Sequence, residues 1–415
     1  MGRPLLSSIR HMSRSSHLRY RVVVFMMILA LFQQYQLFCV HRQSLAAKYT
    51  STQLASNFQG LHSHLPIPDD KDLHFQDELV ANRRAWKALG EGWEGKVYAY
   101  NDSVIKTFTP GRSPFRNCVP GMMNKKWPTE IPASLQFGGF IQQNDPSNEH
   151  YGHNRSITID GFLPVKAYYM ASPLPSKPAE WHLVTPLLQG GSLNTLARTL
   201  SEDMKARGFQ NVDALYRPTF NRLLETMEGL HDAGYCHDDI KPANIFIKDE
   251  AHWILGDLGN ARQVFHPYHS SRLWRDNSQL EDCRANDVIR ALKSYVKFIQ
   301  TSLGDEDEFN LAFLEGKEPI SRLFWRALAD ATTMTAAKLR QQSLTEYPEA
   351  PLKTDINDGV PLIPRSYTLM NLFSQRLALK HAVDNALLTR MGEKMTRWWA
   401  MTWLFGVPVS DVCGL

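Results

Sequence analysis

The polar and apolar positions divide this chain into unlike parts. Residues 1–21 are basic and serine-rich with almost no acids, and Val22–Phe32 is an unbroken apolar run. After Gln33-Gln34-Tyr35-Gln36 the chain is apolar again at Leu37–Val40. Taken whole, 22–40 approaches the ~20 residues that cross a bilayer. Its first half alone matches the ~7–15 apolar residues of a cleavable signal, although a small-residue site at Ser44-Leu45-Ala46 lies late for that. A soluble amphipathic segment is a third alternative. If 22–40 is a signal-anchor, the preceding arginines keep the N-terminus cytosolic and everything after Val40 is lumenal. Residues 41–75 are polar, contain a Pro66-Ile67-Pro68 turn, and read as a stem or linker of low order.

The pattern of a folded domain begins near Phe75. Strand-like runs occur at Val97–Tyr100, Val104–Lys106, Gly161–Met170 and Trp181–Thr185, with an Asn101-Asp102 turn between the first two. Gln142–Arg155 is a polar insertion. Val212–Ala233 carries Leu215, Phe220, Leu223, Leu224, Met227 and Leu230 at helical spacing and stops at Gly234. Asn244–Ile247 and Trp253–Leu255 predict a hairpin around Lys248-Asp249-Glu250. Residues 260–286 lack a period, whereas 310–395 alternate at helical period, with loops at Gly316, Tyr347–Pro351 and Pro361–Pro364. Trp398–Phe405 is too short to span a membrane and reads as a helix packed on those before it.

Composition narrows the classes. In 415 residues, 43% hydrophobic and 21% charged content supplies a core, with length for more than one domain. The net charge of +4 is small, and much of the excess sits at Arg3, Arg10, Arg14, Arg19 and Arg21, leaving no nucleic-acid footprint. The five cysteines (Cys39, Cys118, Cys236, Cys283, Cys413) form no C-x-x-C pair, which argues against zinc. Cys236 reads as a packed core thiol. Two N-x-S sequons, at Asn101 and Asn154, fit a lumenal location.

The candidate chemistry centres on His237-Asp238-Asp239-Ile240-Lys241-Pro242-Ala243-Asn244 and on Asp257-Leu258-Gly259. A turn bearing a carboxylate, a cation two residues on and an amide five residues on can gather a hydroxyl, a phosphate and a metal. The predicted hairpin returns Asp257 beside Asn244. These two stretches resemble the H-R-D-x-x-x-x-N catalytic loop and D-F-G turn of the eukaryotic protein kinase superfamily. Gly90-Glu91-Gly92-Trp93-Glu94-Gly95-Lys96-Val97 is similar to its glycine-rich loop, opening a strand rather than the helix of a dinucleotide fold.

The resemblance covers roughly residues 84–300. It implies an α+β, two-lobed protein-kinase-like fold with a small β-rich N-lobe and a larger helical C-lobe after an N-terminal hydrophobic anchor. The expected division is a basic tail at 1–21, an anchor at 22–40 and a stem at 41–75. The N-lobe then takes 76–188, the C-lobe 189–395 and a hydrophobic tail 396–415.

By the same resemblance, ATP and Mg2+ are the expected cofactors. Gly90, Gly92, Gly95 and Val97 cover the phosphates, and Lys106 pairs with them and with a helix glutamate, Glu130 or Glu149. Thr129 is positioned to cap that glutamate's helix. Thr185, Pro186 and Leu188 form the adenine hinge, Asn244 and Asp257 hold the metal, and Asp239 and Lys241 carry transfer. Asp287 leads a helix that braces the catalytic loop.

A lysine at 241 is the serine/threonine pattern. Asp238 stands where the family has arginine, which predicts activity independent of a phosphorylated activation loop. The implied acceptor is a hydroxyl on a protein or a small molecule such as a sugar. Membrane contact runs through 22–40, in the ER, Golgi or cell surface, or the chain is secreted after cleavage. A nucleotide-binding pseudokinase scaffold is the alternative function.

Overall fold

The computed structural model describes residues 5–54, 70–92, 95–109, 117–120, 126–141, 160–173, 176–203, 208–303, 306–346, 375–389 and 391–408. The whole polar insertion at 142–155, with Glu149 and Asn154 in it, and the loops at 347–351 and 361–364 lie outside them.

The N-terminal apolar run and the polar stretch after it form one helix, α1 (Leu5–Lys48). No glycine or proline interrupts it. Its portion from Leu18 to Lys48 is long and apolar enough to cross a membrane. Apart from Val24, residues 18–36 do not rise above exposed surface, but the last turns differ: Ser44, Leu45 and Lys48 are buried, followed by Tyr49 and Thr52. The expectation of a loose stem from residue 41 is therefore corrected for 41–54. Leu45 and Tyr49 enter a cluster with Tyr268, Leu273, Trp274, Cys283 and Ala400. Spaced four apart, they share one face of the helix end, a pattern the surrounding polar residues conceal.

The small lobe starts with α2 (Asp70–Ala81), ahead of the expected boundary, and Leu79 anchors it against Trp86, Ile105 and Val184. Strands β1 (Lys87–Glu91), β2 (Gly95–Tyr100) and β3 (Ser103–Phe108) follow. A minor hairpin, β4 (Cys118–Pro120) and β5 (Lys126–Pro128), leads into α3 (Glu130–Phe137). Strands β6 (Ala167–Ala171) and β7 (Glu180–Pro186) complete an antiparallel sheet of order β1-β2-β3-β7-β6. The strand expected from Gly161 begins only at Ala167. Gly161 has a positive φ of 98°, Pro164 cannot donate to a ladder, and Phe162 and Val165 form only isolated bridges.

The large lobe is helical. Helix α4 (Leu193–Asp203) leads to α5 (Phe209–Asp232), and β8 (Tyr235–Cys236) enters the catalytic loop. The hairpin β9 (Ile245–Asp249) and β10 (His252–Leu255) comes next, then β11 (Arg262–Gln263), which pairs back to β8. After α6 (Arg272–Asp276), helix α7 (Cys283–Thr301) crosses the core beside α5, where Phe220 stacks on Tyr295 at 4.3 Å. Helices α8 (Glu306–Glu315), α9 (Pro319–Ala329), α10 (Ala336–Thr345) and α11 (Gln375–Ala386) surround it. The chain closes with α12 (Lys394–Trp399) and α13 (Thr402–Phe405), which pack on α1. Sheet lobe and helical lobe together make the two-lobed kinase fold.

Cys236 is not a core thiol. It is disulfide-bonded to Cys283, joining β8 to the start of α7 across 47 residues of sequence. Cys118 is also disulfide-bonded, and among the described residues Cys39 is free.

Candidate active site

A cavity of about 410 Å³ lies between the sheet and the large lobe. Its floor is the catalytic loop, which is fixed from below. Asp287, fully buried on α7, accepts hydrogen bonds from the backbone N–H of His237 (2.6 Å) and of Asp238 (3.0 Å). His237 is buried too. Its Nδ1 accepts from the Asp239 amide, so Nε2 carries the proton donated to the Gly256 carbonyl at 3.1 Å. Arg290 on α7 donates to the carbonyls of Asp238 and Ile240, both at 3.2 Å.

Asp239 leaves this brace facing the cavity. Lys241 Nζ meets its Oδ2 at 2.7 Å, and Asn244 Nδ2 donates to its carbonyl at 2.9 Å. The β9–β10 hairpin brings Gly256 back to Asn244, whose carbonyl accepts the Gly256 N–H at 3.0 Å. Asp257 follows with φ +59°, and Asp238 has φ +63°. Left-handed backbone is uncommon outside glycine and clusters where a site must aim a side chain.

The sheet supplies the roof. Lys106 on β3 pairs with Glu130, the first residue of α3, and reaches Asp257 Oδ1 at 2.9 Å. The Lys106 ammonium outweighs burial and holds the Asp257 carboxyl down at about 2, so it is ionised at neutral pH. Thr129 makes no side-chain cap on α3, contrary to expectation, because its own backbone is already helical at φ −52°.

Gly92, Gly95, Val97, Lys106, Asp239, Lys241 and Asp257 all line the cavity. Gly95 has a packing reason for being glycine, since a Cβ there would collide with the Thr107 carbonyl. Gly90 and Gly92 face open space, which leaves the hairpin free to approach a ligand. Thr185, Pro186 and Leu188 run along the lobe connection but do not line the cavity. Gly90, Glu130 and Asn244 also lie outside its lining.

Other cavity residues carry no local motif. Asn117 ties the small lobe to the acidic turn, donating to the Gly259 carbonyl and to Asn260, both at 3.0 Å. Lys48 and Tyr49 enter from the end of α1, with Glu393 and Arg397 from the C-terminal segment. Lys48 pairs with Glu393, Tyr49 donates to the same carboxylate at 2.9 Å, and Arg397 meets it at 2.6 Å. Lys48 and Glu393 are separated by 345 positions, and no spacing rule connects them.

Asp238 has a further role. Its carboxylate receives Arg262 at 3.0 Å and His269 at 2.9 Å, both from the segment after Asp257. Burial opposes ionisation of Asp238, but His269 and Arg262 prevail and set it at about 2. The usual polarity is reversed, with the anion in the catalytic loop and the cations in the segment.

This fold and this set of groups define a protein-kinase-like domain. The family model for the protein kinase domain matches residues 165–291. The chain is 34% identical over 181 residues to serine/threonine-protein kinase D of Synechocystis, covering 43% of this chain and 30% of that protein. It is 39% identical over 64 residues to the mouse interferon-induced, double-stranded RNA-activated protein kinase, covering 15% and 12% of the two chains. To a "Probable serine/threonine-protein kinase" of Encephalitozoon cuniculi it is 28% identical over 152 residues, covering 32% and 37%. The chain thus spans well under half the length of these curated relatives.

Proposed function

We propose that this chain is an ATP- and magnesium-dependent serine/threonine-type phosphotransferase of the secretory pathway, acting on a hydroxyl of a protein or small molecule. The carrying observation is Asp239, Lys241 and Asp257 on one cavity with Lys106, which Glu130 pairs. Asp257 and Asn244 suit magnesium: an ionised carboxylate and an amide oxygen are hard oxygen donors, and Asn244's NH2 is already engaged by Asp239. Bound magnesium supplies neutralisation of phosphate charge. Lys106, oriented by Glu130, takes the nucleotide phosphates beneath the Gly90–Gly95 hairpin, and the 185–188 connection faces adenine. Asp239 orients the acceptor hydroxyl and accepts its proton, while Lys241 offsets charge on the transferring group.

The lumenal setting draws support from the disulfides, which persist in oxidising compartments, and from the exposed turn bearing the Asn101 sequon. Burial of Leu45 favours an anchor over a cleaved signal, since cleavage at Ser44-Leu45-Ala46 would strip a core residue.

Paired variants test the assignment. Asp257→Ala is expected to weaken magnesium-dependent ATP binding in a thermal-shift titration. Asp239→Asn should bind ATP normally yet lose about 10²–10⁴-fold in phosphoryl transfer. Wild-type protein that binds no nucleotide would refute the kinase reading. Wild-type transfer by Asp239→Asn would refute the catalytic assignment alone.

A further inference from the structure

The C-terminal segment leaves a cluster of large apolar side chains uncovered. Trp398 is 63% exposed, Trp403 66%, Leu404 57% and Phe405 56%. Four large apolar side chains exposed within eight residues are uncommon on a soluble domain and point to an interaction site. What it meets is indicated by its neighbour. Phe405 packs edge-on to Phe38 of α1 with ring centroids 5.4 Å apart, and Trp399 stacks over His41. Arg42 donates to the Gly406 carbonyl at 3.2 Å, tying the tail to the helix at this one level.

That level is where α1 changes character. From Leu18 to Gln36 its surface is uncovered apart from Val24, and from Leu37 onward it becomes partly covered. From Arg21 to His41 the helix rises about 30 Å at ~1.5 Å per residue, which equals the ~30 Å hydrocarbon thickness of a bilayer. The tail aromatics therefore sit beside the helix at the depth of the headgroup boundary. Tryptophan is favoured at that depth because its ring is apolar and its N–H is wet. Arg42 at the same level matches a side chain that keeps its charge among headgroups.

We propose that Trp398, Trp403, Leu404 and Phe405 form a membrane seat, inserted at the headgroup–acyl boundary around the exit of α1. The proposal rests on the reading of α1 as a span, and it adds a second, monotopic contact that fixes the domain against the bilayer. Because Glu393 and Arg397, just ahead of the seat, line the cavity, the mouth of the cleft beside them is held close to the membrane surface.

Among the described tryptophans only Trp398 and Trp403 are exposed, so a quencher confined to the lipid acts on them more than on the others, and their removal reads out their share. The full chain is reconstituted into phosphatidylcholine vesicles with or without bromine on the upper acyl carbons. Wild-type emission should be quenched by the brominated lipid. Trp398→Phe/Trp403→Phe should lose more than half of that quenching while keeping its ATP-dependent thermal shift, whereas buried Trp253→Phe should lose almost none. Carbonate washing separates the two layers of the claim. Release of wild-type protein from vesicles overturns the span and the seat together. Retention with equal quenching in wild type and double variant overturns the seat alone, as does cross-linking that shows the tail covered by a second copy.

Discussion

Two walls of the same cavity are held by different physics. The acidic wall, with Asp239 and Asp257, stands on backbone groups: Asp287 grips two consecutive N–H groups, and Arg290 grips two carbonyls of the same loop. A second part of the lining, with Lys48, Tyr49, Glu393 and Arg397, stands on one carboxylate shared by three side chains. Backbone held by a buried partner has nowhere else to go. Long side chains gathered by a single charge can rearrange. The contrast separates side chains held still through the backbone beneath them from side chains that can adjust to whatever they face.

The sharpest way to break the contrast is to remove the buried brace. Asp287→Ala strands two buried N–H groups, and a loss of about 4 kcal/mol is expected at ~1–3 kcal/mol for each orphaned group and its partner. Calorimetric unfolding should show it, and transfer should fall even where ATP still binds. A loss under 1 kcal/mol would mean the loop is held by something else.

Glu393→Gln tests the other wall. Lys48 and Arg397 keep a hydrogen-bond acceptor but lose its charge, so about 2 kcal/mol of stability should go. ATP affinity should stay within about twofold, because Glu393 bonds to Lys48, Tyr49 and Arg397 rather than to Lys106 or Asp257. Equal losses in ATP affinity for Glu393→Gln and Asp257→Ala would erase the distinction between the walls.

The polarity of Asp238 gives a pH-dependent variant. Burial opposes protonation of His269, but Asp238 raises its pKa above the ordinary 6.5. A raised pKa contributes stability that is complete below pH 6.5 and is lost as pH rises through the raised value. His269→Gln should therefore be less stable than wild type by about 1 kcal/mol in mild acid, and the gap should narrow as pH rises through the raised His269 value. A gap that widens with pH would reverse the assignment. The smallest effect is an expected null: phosphatase treatment should leave transfer unchanged, as Arg262 and His269 already supply the segment's contact to the loop.

Legibility in the sequence follows the same division. His237–Asp257 could be read because its groups lie within one turn and one hairpin, where spacing dictates geometry. The Lys106–Glu130 pair needed the kinase resemblance to propose it and the fold to choose it. Lys48, Asn117, Arg262, His269 and Arg397 gave no such signal. Their partners lie on other elements, and periodicity reports which face is buried without reporting what covers it. The polar stretch at 41–54 misled for that reason, its Leu45 and Tyr49 being hidden among residues typical of a linker.

The Cys236–Cys283 bond has a consequence for how the chain fails. Everything from the catalytic loop through the acidic turn to the segment bearing Arg262 and His269 lies on one covalent ring, closed across 47 residues. A protease that nicks this ring cannot separate its ends, so a cut chain keeps both halves of the site in register and migrates as one molecule until a reductant opens it. Damage within the ring is thereby contained locally, and reduction of the disulfide, rather than cleavage, decides when the two halves part.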